Sequence, residues 1–201
     1  MSALLSMPVE LHKLNTSSNR IACAQWHRHI NAVNADARLA DYLIDSGSLT
    51  TRLTQACAQF RVQRLHQLRA LCLQDEFQAV KLARPLQVME RDVLLRCDEA
   101  PVVYAHTVLP LAANASQWPL FASLGNRSLG STLFNDPLVK RGALCFARLD
   151  VRHPLMRRIA ALGLLDADEK TLFARRSVFE RKGSRLLVTE VFLSAILRLP
   201  N

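Results

Sequence analysis

The chain has 201 residues, 50% of them hydrophobic and with no low-complexity tract, which is enough apolar material for one globular domain and excludes a disordered chain. Its net charge of +9 comes without a basic stripe, with only 6% aromatic residues and with no zinc-finger spacing, so a small anionic ligand fits better than nucleic acid. The 5 cysteines lack any C-x-x-C pair, and neither a secretory signal nor a run of membrane-spanning length is present, so a reducing cytoplasm is expected and no membrane span.

In chain order, residues 1–21 look like a loosely attached leader, with Asn15 to Asn19 as loop, and residues 22–201 read as a single domain. Asn34 is placed to cap a helix over 35–44 whose Leu39, Tyr42 and Leu43 share a face. Gly47 ends that unit, and Ser48 can cap a short helix over 49–53. Residues 60–86 are ambiguous: Phe60, Arg61 and Val62 begin like a strand, while Leu65, Leu68 and Leu71 drift to helical spacing.

From Val88 the pattern is β, with a hairpin turning at Cys97 to Pro101 and closed by Pro110. Short helices are expected over 116–124 and 128–134, a strand over 143–149, and a basic amphipathic helix over 153–165. Two strands, 173–181 and 186–193, meet at Lys182 and Gly183. Hairpins dominate and no phosphate loop follows a strand, which implies an α+β fold: a single antiparallel β-sheet with helices packed on one side.

Glu190 stands out, a carboxylate sharing a strand face with Leu186, Val188 and Phe192. Burying an unpaired carboxylate costs several kcal/mol, so a partner or a ligand must offset it. Arg91 is the matching anomaly, the only charge on the side shared by Met89, Val93, Leu95 and Cys97, opposite a side bearing Glu90 and Asp92. The two either pair with each other or hold the ends of a small polar-ended ligand. Of Arg175 and Arg176, adjacent on one strand, one faces solvent and the other is free to face the pocket. The glycine-bounded turn Gly125 to Gly130 can present backbone N–H groups to a carboxylate. His27 and His29 lack a third ligand and are set aside as a metal site.

Several segments taken in order resemble the bacterial chorismate lyase family: Ser46 to Leu53, Arg91 to Leu95, Thr107 to Pro110, Leu124-Gly125 to Leu129-Gly130 with Leu133-Phe134, Arg175 to Ser177, and Leu187 to Leu193. The resemblance covers roughly residues 36–194. It implies a monomeric, cytoplasmic, cofactor-free and metal-free enzyme with an antiparallel sheet, converting chorismate to 4-hydroxybenzoate and pyruvate at the head of ubiquinone synthesis. Residue by residue, it implies that Arg91 grips the ring carboxylate with help from the backbone at Leu49 and Leu129. It implies that Glu190 meets the ring hydroxyl, and that His106, Gly130 and Arg176 lie around the pocket or along the ligand's path.

The chain departs from the family at His106, where arginine is usual, at Asp98-Glu99, Val102, Ser128 and Phe173, and by extra residues around 145–170. A competing class is a binding or sensing module for a small aromatic carboxylate, since the same fold serves as the effector domain of some transcription regulators. Those carry an N-terminal winged helix, for which the leader is expected to be too short.

Overall fold

The computed structural model describes residues 23–200. The expected leader, with its loop at Asn15 to Asn19, lies outside them. Seven strands form one antiparallel sheet: β1 (Phe60–Leu71), β2 (Gln87–Cys97), β3 (Ala100–Pro110), β4 (Val139–Arg141), β5 (Cys145–Asp150), β6 (Thr171–Arg181) and β7 (Ser184–Phe192). Their order is β1-β2-β3-β7-β6-β4, and β5 also pairs with β6. The outer edge of β6 is thus shared, β5 pairing with it over 171–176 and β4 over 179–181. Two tight hairpins set the register, their reversals eased by Asp98 at φ 54° and by Lys182 and Gly183 at 48° and 76°.

The helices are α1 (Ala37–Ile44), α2 (Leu49–Ala56), α3 (Leu129–Asn135) and α4 (Pro154–Ala161). None of the described helices is long and apolar enough to cross a membrane. The single antiparallel sheet and α+β class are as the pattern predicts. Helices α1 to α3 share one face of it. Leu39, Leu43, Leu49 and Leu53 pack there on Val93, Leu95, Ala105 and Phe192, and Leu133 packs on Leu109, Phe179 and Leu186. The fourth helix lies on the other face, where Leu155, Met156 and Ile159 meet Leu94, Tyr104, Leu172, Ala174 and Val191. Successive strand residues point to opposite faces, so β2 contributes Val93 to one core and Leu94 to the other.

Several local expectations change. Asp36, not Asn34, caps α1, accepting a hydrogen bond from the Leu39 N–H at 3.0 Å. Ser48 does cap α2, which runs on to Ala56. The ambiguous stretch is a 12-residue strand, β1, followed by turns, and the three-residue step from Leu65 to Leu68 has a physical source. Its pairing with β2 shifts between Arg64 and His66, and such a bulge inverts side-chain parity. Residues 116–124 form turns, not a helix, and the three-residue β4 carries too little pattern to be seen in the sequence.

Candidate active site

The register between β2, β3, β7 and β6 lays out two rows of side chains on the face that carries α1 to α3. One row runs Arg91, Thr107, Val188, Ser177, and the next runs Val93, Ala105, Glu190, Arg175. These rows floor a cavity roofed by Leu49 and Thr50 of α2, by Ser128 just before α3, and by Leu129, Gly130 and Leu133 of α3. The roof is pinned by a 2.5 Å hydrogen bond between the hydroxyls of Thr50 and Ser128, which holds the first turns of the two helices together. Gly130 belongs to that contact, because a Cβ there would lie 3.0 Å from Thr50 Oγ1.

At one end of the floor Arg91 is 1% exposed. Its Nη2 donates to the carbonyls of Gly125 and Arg127 at 3.1 and 3.0 Å, so the turn before α3 anchors the guanidinium. The buried Nε has no hydrogen-bond partner among the described residues. Burial, reinforced by the positive charge of Arg64, pushes the Arg91 pKa down to about 10 despite the nearby Asp92. A cation held this way is short of an anion.

At the other end Glu190 and Arg175 are direct cross-strand neighbours, and Arg175 Nε donates to Glu190 Oε2 at 2.5 Å. Arg175 is otherwise committed to the carbonyls of Tyr42 and Asp45 at 2.8 and 2.7 Å, which ties the C-terminus of α1 to the floor. Glu190 Oε1 accepts no hydrogen bond from the described residues, and the side chain keeps 17% exposure. The carboxylate is therefore fixed through one oxygen and open through the other. Arg91 and Glu190 do not pair with each other.

Of the residues singled out in the sequence, Leu49, Arg91, Leu129, Gly130 and Glu190 line this cavity. His106 and Arg176 do not, and their expected place near the ligand is corrected. The parity of β3 and β6 turns both to the opposite face, where Arg176 stacks over Trp26 and donates to the Asp75 carbonyl at 2.8 Å. His106 is fully buried there, with Nδ1 2.6 Å from Asp92 Oδ1 and Nε2 3.2 Å from Glu76 Oε1. Arg175 takes the cavity position instead. Arg141, from the strand missed in the sequence, lines it as well.

The opposite face also carries a group with metal-ligating chemistry: donor atoms of His66, Glu90 and Asp92 lie within 4.8 Å of one another. Arg158 of α4 already occupies it, with Nη1 2.9 Å from both Glu90 Oε1 and Asp92 Oδ2. That guanidinium neutralises the acids where a metal would sit.

An apolar floor between an anion-seeking arginine and a half-tethered carboxylate suits a flat molecule with a carboxylate at one end and a hydroxyl at the other. The sequence profile of the chorismate lyase family matches residues 21–198. The chain belongs to that family. Proteins that carry the name "Probable chorismate pyruvate-lyase" include one from Cupriavidus metallidurans, 46% identical over 87% of this chain and 82% of its own. Another, from Ralstonia nicotianae, is 50% identical over 78% of this chain and 82% of its own. Membership makes the chain a lyase-class enzyme. Among solved structures, the effector domain of PhnF from Mycobacterium smegmatis superposes with a TM-score of 0.54 at 15% identity, covering 74% of this chain and 89% of that one. The C-terminal domain of the histidine utilization repressor from Pseudomonas syringae reaches 0.50 at 11% identity, over 71% and 97%. These two likenesses concern the fold alone.

Proposed function

We propose that this enzyme eliminates pyruvate from chorismate to give 4-hydroxybenzoate, the opening step of ubiquinone synthesis. The observation that carries the reading is the pairing of an anion-deficient Arg91 at one end of the cavity with a carboxylate, Glu190, that has one open oxygen at the other. The ring carboxylate of chorismate meets the Arg91 guanidinium, with the backbone N–H groups that begin α2 and α3, at Leu49 and Leu129, on the same side. The C4 hydroxyl, para to that carboxylate, meets Glu190 Oε1, while Arg175 keeps the glutamate from turning away.

In the reaction the C4–H bond breaks and its electron pair enters the ring. The C3–O bond breaks as the ring becomes aromatic, and the enolpyruvate that leaves takes up a proton to become pyruvate. Aromatisation drives the step, so this chain's residues chiefly hold the ring in the geometry for elimination and stabilise the charge on it. Short side chains, Ala105, Thr107 and Val188, leave room for the ring, and the starts of α2 and α3 cover it.

The purified protein should convert chorismate to equimolar 4-hydroxybenzoate and pyruvate, followed by chromatography, and no product would overturn the reading. Glu190→Gln should lower turnover by about 10²- to 10⁴-fold with the fold intact. Arg91→Ala should weaken 4-hydroxybenzoate binding by about 10- to 100-fold.

A further inference from the structure

The cavity holds three guanidinium groups, Arg91, Arg141 and Arg175, against the single carboxylate of Glu190, an excess of two positive charges. Arg175 is spoken for by Glu190 and the α1 carbonyls. Arg141 is not. Its Nε donates to Ser177 Oγ at 3.0 Å and its Nη1 to the carbonyls of Ser46 and Gly47 at 2.6 and 3.4 Å, all of them neutral oxygens. Its Nη2 makes no hydrogen bond to the described residues. The guanidinium carbon lies 5.2 Å from the Phe134 ring centroid and 5.6 Å from that of Phe179, so two aromatic rings hold the group in place. Burial and the charge of Arg175 lower its pKa, and the nearest acids, Glu190 and Asp45, offset that only in part.

Arg141 also stands at the right end. Ser177, its partner, ends the row that Arg91 begins, and it neighbours the strand positions of Glu190 and Arg175. A ring with its carboxylate on Arg91 and its C4 hydroxyl on Glu190 puts a C3 substituent beside that hydroxyl, on one of two sides of the ring, and Arg141 is the guanidinium without a counter-ion at that end. Chorismate carries two carboxylates, and the second sits on the C3 enolpyruvyl ether. A dianion matches the excess charge of the cavity; the departing aromatic product, with one carboxylate, does not.

We propose that Arg141 binds the carboxylate of the enolpyruvyl group, and so selects a dicarboxylate substrate over its monocarboxylate product; this rests on the function proposed above. The residue acts by holding the leaving group, and its loss weakens what carries that group while sparing what lacks it.

The test compares ligands in the parent and two variants. Calorimetry with 3-(1-carboxyvinyloxy)benzoate, with its methyl ester on the enol-ether side, and with 4-hydroxybenzoate should show the parent favouring the diacid over the ester by about 10- to 100-fold. Arg141→Met should abolish that preference and raise the KM for chorismate by a similar factor, with 4-hydroxybenzoate affinity held within about twofold. Arg141→Lys should recover part of the loss. Equal loss for 4-hydroxybenzoate and the diacid would overturn the proposal, as would a parent that binds ester and diacid alike; this last comparison decides the matter even if the methionine variant fails to fold. A parent that neither binds 4-hydroxybenzoate nor consumes chorismate would instead remove the reading beneath it.

Discussion

Glu90, Arg91 and Asp92 are three consecutive buried charges on β2, and the two faces of the sheet treat them in opposite ways. On the α4 face, Glu90 and Asp92 share the Arg158 guanidinium, Asp92 also accepts from Tyr104 and meets His106, and His106 reaches Glu76. Each of these five charged groups has an opposite charge in contact. On the cavity face, Arg91 and Arg141 have only carbonyls and a hydroxyl. Burial alone therefore does not mark a functional charge. The mark is burial without a counter-ion, because only a ligand can then complete the electrostatics.

The comparison breaks most clearly if neighbouring residues on the two faces fail to behave differently. Asp92→Ala leaves Arg158 and His106 without their shared acid and should cost about 3–5 kcal/mol of stability. Arg91→Met removes a charge that the folded state holds without a counter-ion, so it should cost less than Asp92→Ala, about 1 kcal/mol, while weakening 4-hydroxybenzoate binding by about 10- to 100-fold. Urea denaturation of both variants measures the contrast, and equal losses would mean that Arg91 is structural too.

The extent to which this could be read from the sequence follows from the same alternation. Arg91 and Glu190 were legible because their strand faces are otherwise apolar. His106 and Arg176 were placed by the resemblance alone, and pattern could not correct it, because β3 is apolar on both faces and β6 has arginines on both, so parity offers no side to choose. The burial of Glu90 and Asp92 has no local signal because what buries them is distant in sequence: Arg158 arrives on α4, within the extra residues near 145–170, and Glu76 lies in the turns after β1. The α4 face is closed by tertiary contacts that no local pattern encodes. Arg141 carries no sequence signal for a related reason, since a three-residue strand shows no period.

The paired face should also reveal itself through pH. Burial disfavours the His106 cation, but Glu76 and Asp92 outweigh it and raise its pKa well above the ordinary value; Glu90 lies at 4.0 Å, with Arg158 beyond it. Below about pH 6.5 folded and unfolded chains both hold that proton, and above it only the folded chain does, so stability falls as pH rises, by up to about 1.4 kcal/mol per unit. Asp75 works in the other direction. Its burial is outweighed by His153 and Trp26, which lower its pKa to about 2, so its contribution is present above the unfolded value near 3.9 and is lost as acid approaches about 2. Urea midpoints should decline between pH 6.5 and 8.5 in the parent and stay level in His106→Gln; an unchanged slope would place the proton elsewhere.

The smallest effect on stability belongs to the cavity roof, and it sharpens the comparison from the ligand's side. Gly130 lies in the first turn of α3, where alanine would gain up to about 1 kcal/mol of helix propensity. The added Cβ would sit 3.0 Å from Thr50 Oγ1 and 3.4 Å from Ser128 Oγ, the two hydroxyls whose hydrogen bond closes the roof. Gain and crowding oppose each other, so the thermal midpoint of Gly130→Ala should stay close to the parent's. The Thr50 hydroxyl must nevertheless give by a few tenths of an ångström, which strains the hydrogen bond that joins the two helix starts. If the N–H groups at Leu49 and Leu129 hold one carboxylate as proposed, they tolerate little such movement, so 4-hydroxybenzoate affinity should fall several-fold with no matching loss of stability. A roof that only covered the cavity would show the reverse, a shifted melting point with ligand affinity unchanged.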